Sequence, residues 1–90
     1  MDNIVYVARY EVEGCYTDSC LIGVFHSREV AENELIDSIK WFCKMAKYDF
    51  DKNNIELFND YKNEQVYRYP EQGIKGHNLF WGHINEEYIK

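Results

Sequence analysis

The sequence predicts an α+β fold: an antiparallel sheet of four to five strands, opened by a β-hairpin, with one long helix packed on one face. Three observations carry that expectation. Residues 3–12 and 19–26 alternate in the period of a strand and are separated by a short loop containing Gly14. Residues 28–47 repeat apolar side chains at spacings of three and four, the period of a helix. Beyond residue 50, short alternating stretches return between turn-forming residues, without a second helical pattern.

The first strand places Ile4, Tyr6, Ala8, Tyr10 and Val12 on one face and Val5, Val7, Arg9 and Glu11 on the other. Residues 13–18 form a loop in which Gly14 is free to take positive φ. Residues 19–26 form the second strand, and so short a loop makes the pairing antiparallel. The face away from the helix then carries either Val5, Val7, Leu21 and Phe25 or the opposite set.

Ser27 is a good N-cap for the helix. Ala31, Leu35, Ile39, Phe42 and Ala46 form its apolar stripe, flanked by Cys43 and Met45. Glu29, Glu32 and Glu34 come early and Lys40, Lys44 and Lys47 late, the order that complements the helix dipole. In the second half, residues 54–59 and 64–69 read as strands joined by a turn at 60–63. Residues 70–77 read as a loop with Pro70, Gly73 and Gly76, residues 78–84 as the last strand, and 85–90 as a turn or tail. One helix covers one face of such a sheet, so the other face calls for a second copy or a partner protein.

Ninety residues make a single domain with a thin core. Eight Tyr, five Phe and two Trp separate the chain from disordered sequences, which are poor in aromatics. The net charge is −6. Residues 1–37 hold eight acids against Arg9 and Arg28, whereas residues 38–90 hold eight of each sign, so the excess negative charge lies in the first part. Without a basic stripe to neutralise phosphates, direct nucleic-acid binding is disfavoured. No apolar run approaches the roughly 20 residues of a membrane span, and the start of the chain lacks the pattern of a signal peptide. With three cysteines, Cys15, Cys20 and Cys43, an odd number, the expectation is a cytoplasmic protein with free thiols.

The segment Ile22-Gly23-Val24-Phe25-His26-Ser27-Arg28-Glu29-Val30-Ala31 resembles small uncharacterised proteins of bacterial phages and mobile elements. In those proteins a hairpin and an Ile-Gly-Val-Phe strand end lead into a Ser-capped helix. The resemblance covers roughly residues 4–40. It implies a small accessory protein in a bacterial cell and carries over no catalytic residue.

No group of residues makes a catalytic or cofactor motif. Cys15 and Cys20 are spaced at the edge of what a zinc site tolerates and lack a second close pair. Asp49, Asp51 and Asn53 resemble the start of a calcium loop, but Asn54 and Asp60 stand where its glycine and final glutamate belong. Cys20 fits a core strand position. Cys15 with a histidine is the weakest case, since nothing places a histidine beside it. The expectation is a non-enzymatic protein with no cofactor and no metal. The candidate interaction surface is Glu11, Glu13, Tyr16, Asp18, Trp41, Tyr67, Tyr69, Trp81 and His83: acids that suit a basic partner, and aromatics of the kind enriched at binding hot spots.

Two functions follow as expectations. The first is docking on a protein partner, in the form of an inhibitor of a host nuclease or defence protein. The second is a homodimer that sequesters a nucleotide or signalling metabolite in a cleft lined by Tyr, Trp81 and His83, with charge from Arg9, Arg28, Arg68 or Lys75.

Overall fold

A computed structural model describes residues 3–12, 20–70 and 78–89. Among them lie a five-stranded antiparallel sheet and one α-helix, the α+β architecture the sequence predicts. Strand β1 is Ile4–Val12, β2 is Cys20–Phe25, helix α1 is Arg28–Met45, β3 is Glu56–Tyr61, β4 is Glu64–Pro70 and β5 is Asn78–Tyr88. A 3-10 turn at Lys52–Asn54 precedes β3.

The strand order is β2-β1-β5-β4-β3. The first hairpin (β1, β2) and the last meander (β3, β4, β5) therefore join through the β1–β5 pair, which runs from Ile4↔Tyr88 to Val12↔Phe80. Because β2 and β3 are opposite edges, α1 and the segment after it carry the chain across the sheet. The helix packs on β2, β1 and β5 on the way. Asn85, Glu86 and Glu87, expected as tail, belong to β5, whose ladder to β1 extends to the sheet's end. Backbone pairing sets that length, since these side chains carry no apolar signal. The turn expected over 60–63 shrinks to Lys62 and Asn63, with Tyr61 opposite Glu64.

Ser27 caps α1 as expected: it is extended, and its hydroxyl accepts from the Val30 amide at 3.5 Å. At the other end Tyr48 N–H donates to the Cys43 carbonyl (2.8 Å) and Lys47 N–H to that of Lys44 (3.2 Å), with Lys47 at φ 61°. That is the left-handed helix stop that glycine ordinarily makes, here built with lysine.

The core lies between α1 and the sheet. Ala31, Leu35, Ile39 and Cys43 from α1 meet Ala8, Ile84, Phe80 and Tyr69, all at most 1% exposed. Each large side chain buried there stabilises the fold by about 1.5–3 kcal/mol. Phe42 reaches Tyr10 and Phe80 at ring distances of 5.1 and 5.6 Å, closing an aromatic triad in which Tyr10 stacks on Phe80 at 5.5 Å. The stripe thus ends on Cys43 and Phe42. Ala46, expected as its last member, is the exposed C-cap.

Gly82 is the close-approach point. A Cβ there would stand 2.5 Å from Leu35 Cδ1, so the missing side chain lets the helix sit directly on β5.

In β2 the pairing to β1 skips Ile22: Gly23 faces Ala8, while Leu21 faces Arg9. This bulge reverses the side-chain phase halfway along the strand. Gly23 and Phe25 share the helix face with Ala8 and Tyr6, whereas Leu21 lies on the other face with Arg9. Ile22 packs against the core and Cys20, expected there, is exposed.

Candidate interaction surface

Among the described residues no helix or strand packs on the face of the sheet opposite α1. Register determines what that face presents, because directly paired residues of antiparallel strands point the same way. One row crosses four strands as Glu11, Trp81, Arg68 and Glu56. The next is Leu21, Arg9, His83, Val66 and Asn59, and a third is Val24, Val7, Asn85 and Glu64. Val5, Val7 and Val66 on this face are at most 6% exposed. Each is flanked in its row by a longer polar side chain: Glu87, Asn85 and His83 respectively. Small β-branched residues thus form a floor between taller polar ones.

At the β3 side the rows end in an aromatic and arginine cluster. Phe58 meets Trp81 edge to face, with ring centroids 5.4 Å apart. The Arg68 guanidinium lies 4.9 Å over the Phe58 ring and donates to the Glu56 carboxylate through Nε. Phe58 remains 50% exposed, so the cluster is ordered by its own contacts and still presents apolar surface. Beside it is a shallow hollow of about 200 Å³, lined by Arg9, Glu11, Glu64, His83 and Asn85. The Nε2 atom of His83 is buried at its edge without a hydrogen-bond partner.

The structure sorts the nine candidate residues. Glu11, Trp81 and His83 come together on this face, with Glu11 directly opposite Trp81. Trp41 is exposed on α1, 56% accessible, and touches Phe42 edge-on at 4.9 Å. Tyr67 and Tyr69 lie on the helix face instead. Tyr67 is half-buried and its hydroxyl donates to Glu32 Oε1 at 3.1 Å. Burial first, then the Glu32 carboxylate, hold its phenol well above the usual tyrosine range. Tyr69 is fully buried and so is not a surface residue. It stacks on Phe50 (5.9 Å), and its hydroxyl accepts from Asp51 N–H (2.9 Å) and donates to the Asp49 carbonyl (3.4 Å). Glu13, Tyr16 and Asp18 lie outside the described residues, as does Cys15. Cys43 is buried, and that burial pushes its thiol pKa up.

Arg9 and Arg68, named as a supply of positive charge, both stand on this face, while Arg28 does not. Arg28 ties the start of α1 to the sheet: it donates to the Lys62 carbonyl at 3.1 Å, meets Glu86 at 3.6 Å and lies 5.6 Å over the Tyr6 ring. Phe58, Glu64 and Asn85 were not candidates. Each stands on a strand whose neighbours depend on the β2-β1-β5-β4-β3 order. The aspartates at 49 and 51 serve the backbone: Asp51 Oδ1 accepts from Asn53 N–H at 2.9 Å, capping the 3-10 turn. No group of three metal-ligating side chains occurs among the described residues.

Chemically, the face offers rigid aromatic area, two arginines and four glutamates (Glu11, Glu56, Glu64, Glu87) over an apolar floor. No described helix is long and apolar enough to cross a membrane. No protein-family model, curated protein or solved structure matches this chain.

Proposed function

We propose that this chain is a small acidic binding protein of phage or mobile-element type, which acts without catalysis by docking its open sheet face on a basic protein. The observation that carries the reading is the Phe58–Trp81–Arg68 cluster set among four glutamates. Trp, Arg and aromatic side chains dominate binding energy where they are held rigid and surrounded by polar contacts. The glutamates outnumber the arginines of that face, and the whole chain is at −6, which steers it toward positive surfaces. The nucleic-acid groove of a nuclease or defence protein has that charge, and occupying it inhibits the enzyme.

A metabolite-binding role fits this face less well. Its hollow, about 200 Å³ and open, falls below the ~300–1,000 Å³ of ligand pockets. Two of its five lining residues are glutamates, which repel the phosphates of a nucleotide.

A photo-crosslinking residue placed at position 85, on the same face but outside the Phe58–Trp81–Arg68 cluster, compared with one at exposed position 47, tests the docking reading in living bacteria. The expected result is an adduct with a basic protein at 85 alone. In lysate that adduct weakens as salt rises from ~0.1 to ~1 M, over which the Debye length falls from ~10 to ~3 Å. The same adducts at both positions, or adducts indifferent to salt, overturn it.

A further inference from the structure

The two edges of the sheet differ. Edge strand β3 carries Glu56 and Asp60 and a pairing irregularity near Phe58, devices that discourage strand addition. Edge strand β2 reads Cys-Leu-Ile-Gly-Val-Phe, with neither a charge nor a proline. Leu21 and Val24 on it are each 55% exposed.

Helix α1 adds to that edge. Glu32 bonds to Tyr67, which fixes the flank of α1 that faces β4. At ~100° per residue, Trp41 is rotated from Glu32 by about 180°, Val30 by about 160° and Met45 by about 220°. All three therefore lie on the side of α1 away from β4, and they are 56, 46 and 63% exposed. Five exposed apolar side chains thus gather on the two sides of one uncharged strand.

We infer that β2 is a strand-addition site for a second copy of this chain, pairing antiparallel about a two-fold axis to give a continuous ten-stranded sheet. Three observations select that occupant. An uncharged strand meets itself without repulsion. A two-fold normal to the sheet puts both helices on one side, so that Val30, Trp41 and Met45 face the partner's α1, whereas an isolated peptide strand would leave them bare. Finally, Val30, Trp41 and Met45 are about half exposed, and a second helix over the paired edges covers them together with the backbone of β2, the apolar centre that an interface between two copies needs. The bulge at Ile22 bends β2, and a dyad near it gives both strands the same bend.

Sedimentation equilibrium tests the dimer, and hydrogen exchange locates it. The expected result is a mass twice the chain's 10.8 kDa, with β2 amides that exchange faster on dilution. Val24→Lys and Trp41→Glu, each confirmed folded by circular dichroism, shift the protein to the monomer mass. Tyr61→Lys on the β3 edge leaves the dimer intact. A wild-type monomer at sub-millimolar concentration overturns the inference, and so does a dimer that survives both Val24→Lys and Trp41→Glu. Trp81→Ala retains the dimer while abolishing docking, so the fates of the two proposals are read separately.

Discussion

Replacing Gly82 with alanine adds one methyl group at the point where the helix rests on the sheet. The new Cβ would lie 2.5 Å from Leu35 Cδ1 and 3.0 Å from Cγ and Cδ2. Carbon atoms pack at about 3.5–4 Å, so the side chain must retreat by roughly 1 Å. Leu35 is 1% exposed and wedged among Ala8, Ile84 and Phe80, so it has nowhere to go without moving α1. Overpacking of this kind costs about 1–3 kcal/mol. Alanine recovers ~0.5–1 kcal/mol of the conformational freedom that glycine loses on folding. The net expectation is a loss of about 1–2 kcal/mol, a large part of the ~5–10 kcal/mol that a domain this size commands. At ~4–8 °C per kcal/mol, the melting temperature falls by about 5–15 °C.

Leu35→Ala alone costs about 2–5 kcal/mol through the cavity it leaves. In the double variant the methyl group added at position 82 stands in that space, so the two losses do not add. Urea unfolding followed by circular dichroism across the four-member cycle reads the coupling, expected at ~1–2 kcal/mol. A Gly82→Ala protein within ~0.5 kcal/mol of wild type, or a double variant equal to the sum of the singles, refutes the packing argument.

Arg68→Ala should reduce stability by less than ~1 kcal/mol, because its pair with Glu56 is largely exposed, yet abolish crosslinking at position 85. Lys47→Gly should stabilise the fold by about 1 kcal/mol in urea unfolding, since lysine holds φ 61° there and glycine does so without strain. Tyr67 keeps its proton more tightly folded than unfolded. Its contribution to stability is therefore intact below the unfolded phenol's ~10 and declines as pH rises past it, because the unfolded chain releases the proton first. Tyr67→Phe should flatten that alkaline slope in pH-dependent melting. Alkylation with peptide mapping should label Cys20 in the native protein and Cys43 only after unfolding, given one thiol exposed and the other buried.

The helix was legible because its signals are local: a serine cap, an apolar stripe and a charge gradient lie within twenty residues. The strands were legible where alternation survives, and misread where tertiary pairing overrides it. The bulge at Ile22 shows why. Neither Leu21 with Phe25 nor the opposite set occupies one face, since a single extra residue sends Leu21 outward and Phe25 inward. β5 outran its apolar signal because the ladder to β1 holds Asn85 to Glu87, β4 pairs with Asn85 on the other flank, and Glu86 finds Arg28. Tyr69 read as a spare aromatic because its cover, Phe50 and the backbone of Asp49 and Asp51, comes from a segment without strand or helix periodicity. Trp81, Glu11 and His83 were legible as residue types. That Arg68 and Phe58 would stand beside Trp81 required the strand order.

The two proposed surfaces are compatible because they use different directions of the same sheet. Docking uses the face opposite α1; self-association uses the edge at β2. Pairing β2 with its symmetry mate leaves the open face uncovered and makes it continuous, so the Phe58–Trp81–Arg68 cluster appears twice on one surface. Five strand spacings separate β5 from its mate, at ~4.8 Å each, or about 24 Å across the strands. A partner with two basic sites at that separation is held at both, and the second contact forms intramolecularly at high effective concentration. The charged β3 edge then acquires a specific role. Glu56 and Asp60 stop the sheet from adding copies at both ends, so association closes at two chains instead of running on as a filament.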